Sequence, residues 1–283
     1  MNKSSEKLMQ VVFGICACVS IAAVIAICLF MFANGLPAMH DIGFADFLLG
    51  DRWKPKMDLY GIFPLILGSI YVTAGAIIVG VPIGILTAVY LVKYCPAKLY
   101  KVLKPAIELL AGIPSIVYGF FGLVVLVPVV QYLFQTSGKG ILTASVLLGI
   151  MILPTIINTT ESSLRAVPDI YYEGSLALGA TKERSIFRSV FPAAKSGILA
   201  GVILGIGRAI GETMAVVMVC GNQAVMPHSI TSGVRTLTAN IVLEMGYAAD
   251  LHREALIATA VVLFVFILLI NLCFSALKRG GNS

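Results

Sequence analysis

The chain has 283 residues, 59% of them hydrophobic and only 12% charged, with a mean hydropathy of +0.97. Charged residues make up roughly 25% of an ordinary soluble domain, so the composition excludes one and describes a polytopic membrane protein. The net charge of +6 is therefore read by position along the chain and not as a nucleic-acid footprint, and no basic stripe interleaved with aromatics is present.

Residues 1–10 are short and polar, with Lys3 and Lys7. Residues 11–33 are almost purely apolar and outrun the roughly 7–15-residue core of a signal peptide, so they read as a retained first spanning helix. Residues 34–61 are mixed, with Gly35-Leu36-Pro37 and Trp53-Lys54-Pro55 as turn punctuation, and read as an extracytoplasmic loop. The core, 62–277, holds five further spans, at about 62–94, 106–134, 141–160, 197–220 and 255–277. Within the first of these, Gly80 and Gly84 are spaced four apart, as close helix approach in lipid requires. In 106–134, Pro114 and Ser115 follow Gly112-Ile113. A proline inside a span frees a carbonyl that neighbours or water must satisfy, so Pro114 and Ser115 are candidates for a helix bend beside a pathway. A short helix over about 232–245 would align Val234, Leu237, Ile241 and Met245. Residues 278–283 close the chain with Lys278 and Arg279.

Lys and Arg fall unevenly between the loops. Thirteen lie in 1–10, 93–104, 165–195 and 278–283, six lie in the alternate loops, and Arg208 is left within a span. The positive-inside rule then places both termini and the 165–195 loop in the cytoplasm, consistent with six spans.

The fifth span carries Arg208 and Glu212 near its middle. At 1.5 Å of rise per residue Arg208 would sit near mid-depth, where an unpaired charge costs roughly 3 kcal/mol. Four residues apart, the two would share one helix face. One reading is a self-neutralising pair. The other is an arginine lining a water-filled route for an anion, with Glu212 holding or gating it. In the cytoplasmic loop, Pro168 and Asp169 suit a helix start, and Gly179-Ala180-Thr181 suits a stop followed by a second short helix. Tyr171, Tyr172, Leu176 and Leu178 would give that helix an apolar surface, which usually wants a partner.

The chain holds no G-x-x-x-x-G-K-[ST], no Ser/His/Asp set and no metal-ligand cluster, so no catalytic residue, metal or cofactor is expected and energy must come from a partner. The six cysteines read as small buried hydrophobes.

Glu173-Gly174-Ser175, with Gly179 and then Phe191-Pro192, resembles the EAA loop of ABC-importer permeases. Gly174 and Ser175 stand for the two alanines of that pattern, Ser189 for its isoleucine and Phe191 for its leucine. The stretches 111–119, 207–215 and 235–240 resemble phosphate-specific permeases, and Trp53-Lys54-Pro55 with Tyr60 to Pro64 resembles the PstC type. The resemblance implies an all-α membrane protein of the type I ABC importer permease fold with a cytoplasmic coupling helix. In that helix Tyr171, Tyr172, Glu173, Gly174, Ser175, Leu176, Ala177, Leu178, Gly179, Ala180 and Thr181 would contact the ATPase. It further implies a PstA-like second permease, a PstB-like ATPase dimer, a PstS-like phosphate-binding protein outside, and a bacterial or archaeal cytoplasmic membrane whose lipid surrounds the complex. Import of inorganic phosphate by alternating access is the expected function. A permease for molybdate or sulfate, a phosphate-status signalling scaffold and a passive anion channel are the alternatives.

Overall fold

The computed structural model describes residues 3–280, with side chains over 7–273, so Met1, Asn2 and the side chains of Lys3, Lys278 and Arg279 lie outside the described residues. In chain order the elements are α1 (Lys3–Ile42), α2 (Phe44–Leu49), β1 (Trp53–Lys54), β2 (Leu59–Tyr60), α3 (Phe63–Lys93) and α4 (Ala97–Gly112). There follow α5 (Ser115–Phe121), α6 (Val127–Phe134), α7 (Ile141–Arg165), α8 (Ile170–Ala177), α9 (Lys182–Ser185) and α10 (Phe191–Ala193). The chain closes with α11 (Lys195–Gly211), α12 (Met214–Val219), α13 (Leu237–Glu244) and α14 (Asp250–Gly280). Wide π turns join α5 to α6 and α9 to α10.

Among the described residues, five segments are long and apolar enough to cross a bilayer: Lys7–Ile42, Phe63–Lys93, Ser115–Phe134, Ile141–Arg165 and Asp250–Cys273. A sixth is reached by counting as one span the pair Lys182–Ala193 and Lys195–Gly211, which meet at 73°. The axis of the core is α7, whose Leu147, Leu148, Met151, Ile152 and Ile156 are all buried. Glycines let its neighbours close on it. A Cβ on Gly80 of α3 would come within 2.8 Å of the Gly149 carbonyl, and one on Gly84 within 2.8 Å of Ile156. On the other side, Gly205 of α11 would meet Ile156 at 3.0 Å. The glycine spacing read from the sequence is thus used for helix packing.

Several boundaries differ from the sequence reading; among them, the last span starts at Asp250 and the short helix expected over 232–245 covers only Leu237–Glu244, with Val234 before it. The first helix does not stop at Ala33 but continues through Gly35 and Pro37 to Ile42. Gly35 serves an approach to α14, where its Cβ would meet Val261 at 2.8 Å, and the stop comes at Gly43 with φ 94°. The third span is not one helix: α4 begins at Ala97 and ends at Gly112, Ile113 and Pro114 are extended, and α5 restarts at Ser115. A proline disfavours the helical region for the residue before it, which releases Ile113 from the helix. The fourth span runs on to Arg165. The fifth is interrupted at Glu212-Thr213.

Candidate translocation and coupling sites

Arg208 lies in the last turn of α11, and the helix ends three residues later at Gly211. Glu212 adopts extended backbone (φ −68°, ψ 132°), so the shared helix face expected for Arg208 and Glu212 does not form. The Glu212 carboxylate turns to the next helix, its Oε1 accepting from Thr213 N at 3.1 Å and Ala215 N at 3.3 Å, while its carbonyl accepts from Thr238 Oγ1 of α13 at 3.1 Å. Two of the first amides of α12 are thereby satisfied, as a helix start requires. Among the described residues no carboxylate lies within 4.0 Å of Arg208. Gly207 and Gly211 border open space: a Cβ on either would meet nothing within 4 Å, and the same holds for Gly112 at the end of α4.

The two helix interruptions stand side by side. Gly119 of α5 packs on α12, where its Cβ would be 2.9 Å from Ala215 Cα and 2.8 Å from Met218 Sδ. Tyr118 bridges the α4–α5 break, its hydroxyl donating to the Leu110 carbonyl at 2.8 Å. A cleft of about 650 Å³ opens along α4 at this break, lined by Pro105, Glu108, Leu109, Gly112, Ile113 and Pro114. Pro114 and Ser115 thus mark a true break and lie in the same region as Arg208. A guanidinium with no carboxylate partner among the described residues offers planar, charge-assisted donors to an oxyanion.

The segment between α7 and α11 has the helix-turn-helix form read from the sequence. α8 starts after Asp169, Gly179 takes φ 83°, and Thr181 caps α9 by accepting from Arg184 N at 3.3 Å. The helix proper ends at Ala177, so Leu178, Gly179, Ala180 and Thr181 form the turn beyond it. No residue of α8 is buried, and Ile170 and Leu178 are 73% and 90% exposed. Tyr172 faces inward instead, with Lys93 Nζ 4.8 Å above its ring.

Two buried ionic networks were not legible as sites. At the C-terminal end of α7, Glu161 gathers Tyr100, Lys104 and Arg165. Burial alone would lower the Lys104 pKa, but the bond and charge of Glu161 outweigh it and hold the ammonium above the usual lysine range. The hydrogen bond to Glu161, with burial behind it, raises the Tyr100 phenol. Of this set only the i,i+4 spacing of Glu161 and Arg165 gives a local sequence signal.

At the opposite end, Glu244 of α13 accepts from Arg235 Nη1 at 2.6 Å and Trp53 Nε1 at 2.8 Å, and pairs with His252 Nε2 at 2.9 Å. This joins the β1–β2 hairpin to α13 and α14. Glu244→Ala would leave the Arg235 guanidinium without its counter-charge, held only by the Asn222 carbonyl and Asn240 Oδ1, and breaking a buried pair costs about 3–5 kcal/mol. We expect a clearly lower midpoint of thermal unfolding in detergent; an unchanged midpoint would show the network to be dispensable.

Residues 80–280 match the family described as binding-protein-dependent transport system inner membrane component. The chain is 38% identical over 275 residues to the probable ABC transporter permease protein YqgH of Bacillus subtilis, covering 93% of this chain and 89% of that protein. It is 36% identical to the phosphate transport system permease protein PstC of Mesorhizobium japonicum, covering 85% and 80% of the two chains. Among solved structures it is similar to a chain of the inward-facing MetNI methionine ABC transporter, with a TM-score of 0.62 at 22% identity, over 81% of this chain and 99% of that one. A bacterial alginate importer chain aligns over 92% of this chain and 95% of that one, with a TM-score of 0.57 at 12% identity.

Proposed function

This chain belongs to the family of binding-protein-dependent inner-membrane transport components, and as a multi-pass permease subunit of an ABC importer we propose that it carries inorganic phosphate. The observation that carries the reading is the unpaired Arg208 beside two broken helices, in a chain more than a third identical to a phosphate permease. On this reading it is the PstC-type half of a heterodimer with a PstA-like permease, driven by a PstB-like ATPase pair and loaded by a PstS-like binding protein. Both termini and α8 face the cytoplasm, in keeping with the Lys/Arg count. This chain hydrolyses nothing itself. ATP-driven closure of the ATPase pair moves α8 as a lever, the spans rotate, and the route past Arg208 opens outward to receive the anion.

Arg208 offers a guanidinium fork that matches phosphate oxygens, and a water-poor setting strengthens the pair. Glu212 leaves Arg208 free because its carboxylate is engaged by the α12 amides. The reading is tested by the ATPase rate of the assembled complex in vesicles with purified binding protein. Phosphate-loaded binding protein should stimulate hydrolysis severalfold, whereas sulfate or molybdate should not. Stimulation by molybdate or sulfate alone would transfer the assignment to another oxyanion.

A further inference from the structure

Glu161 is only 3% exposed and uses both carboxylate oxygens on side chains from two helices. Its Oε1 accepts from Tyr100 Oη at 2.6 Å and from Arg165 Nε at 3.0 Å, and its Oε2 from Lys104 Nζ at 2.9 Å. Lys104 also donates to Asn158 Oδ1 at 2.8 Å, and the Arg165 guanidinium stands 5.0 Å from the Tyr100 ring. Packing does not demand such a cluster, because a well-packed apolar replacement for a buried ionic group is often neutral or better for stability. What the cluster supplies is direction. α4 has a single buried residue, Ile107, so apolar contact alone would leave it free to slide. Two donors on α4, Tyr100 and Lys104, pin it to Glu161 and Asn158 of α7, while Arg165 of α7 itself steadies the carboxylate.

The pinned helix connects two places that matter. On the cytoplasmic side, Leu164 of α7 packs with Val89, Ile186, Val167 and Tyr172, beneath α8, while Lys93 and Lys182 stand over the rings of Tyr172 and Tyr94. At its other end α4 stops at Gly112, and Tyr118 ties its Leu110 carbonyl to α5 across the break beside Arg208. Coupling between distant sites travels through such packed and hydrogen-bonded elements when they have two arrangements.

We propose that Glu161 is a positioning residue for transport, the latch that makes α4 follow α7 so that displacement of α8 reaches the Ile113–Pro114 break. The inference rests on the importer reading above but not on phosphate being the cargo. Removing the latch leaves the ATPase running and disconnects it from the pathway.

The test uses the full complex with its partner subunits in vesicles, as the parent, Glu161→Gln and Tyr100→Phe. Two readouts are needed: phosphate moved per ATP hydrolysed, and labelling of Ile116→Cys by a membrane-impermeant maleimide with and without ATP. The native cysteines are replaced throughout, and Ile116 is the second residue past the break, with an exposed side chain. Glu161→Gln should keep its basal ATP hydrolysis, lose about tenfold in phosphate per ATP as a severed coupling network would, and lose the ATP-dependent change in labelling. Tyr100→Phe, which removes one donor, should fall between Glu161→Gln and the parent.

An assembled Glu161→Gln complex with the parental ratio and labelling change overturns the proposal. So does a proportional fall in hydrolysis and uptake at constant ratio, which marks a purely structural role. If Glu161→Gln does not assemble, parental behaviour of Tyr100→Phe overturns it equally. A parent that moves no phosphate overturns the cargo assignment instead, and the labelling comparison still decides the latch.

Discussion

Arg208→Gln should cut ATP-driven phosphate uptake by about 100-fold or more while the complex still assembles, since two hydrogen bonds from a charged group are worth about 1.5–3 kcal/mol each and 1.4 kcal/mol is tenfold. An unpaired charge within the hydrocarbon costs roughly 3 kcal/mol, and among the described residues no carboxylate lies within 4.0 Å of Arg208. On the proposed reading the anion itself is the counter-charge of Arg208. Glutamine keeps the length and polarity but not the charge or the fork. Glu212→Gln is the informative contrast. Its amide oxygen still accepts from Thr213 N and Ala215 N, so this variant should retain most of its uptake. Initial uptake rates beside co-purification of the other subunits check both variants. Persistent uptake in Arg208→Gln would make the residue structural.

The second large effect lies on α8 and its turn. Ile170→Asp with Leu178→Asp places two carboxylates on the exposed apolar surface proposed to seat in the ATPase, and burying unpaired charge at an interface costs about 2–5 kcal/mol. The two permeases should still co-purify while the ATPase subunits are lost, and uptake should fall with them. Neither side chain is needed by the chain's own core, since Ile170 and Leu178 are 73% and 90% exposed. Loss of the permease pair itself would contradict that assignment. Tyr172 is a poor choice for this test because it supports the fold from beneath, under Lys93.

The apolar runs located the spans because a bilayer demands about 20 consecutive apolar residues. The form of the α8–α9 segment was legible because its signals are local: Asp169 before the helix, Gly179 after it, and Thr181 as a cap. The interruption at Glu212 was not. Gly211-Glu212-Thr213 contains no proline, and the apolar run resumes at once; the Glu212 carbonyl freed at the break accepts from Thr238, 26 residues on, which no local window shows. The missed networks share this cause. Lys104 and Glu161 are 57 residues apart and Trp53 and Glu244 are 191 apart, so no window along the chain brings them together. Gly35 and Pro37 misled for the opposite reason: residues that often punctuate turns were used for close packing on α14 and carried inside a helix.

Radiolabelled phosphate uptake into vesicles carrying this chain with its partner permease, ATPase and binding protein tests the central claim most directly. The account expects uptake that requires ATP and the binding protein, survives excess sulfate or molybdate, and vanishes with Arg208→Gln. An assembled complex that hydrolyses ATP yet accumulates no phosphate would contradict it.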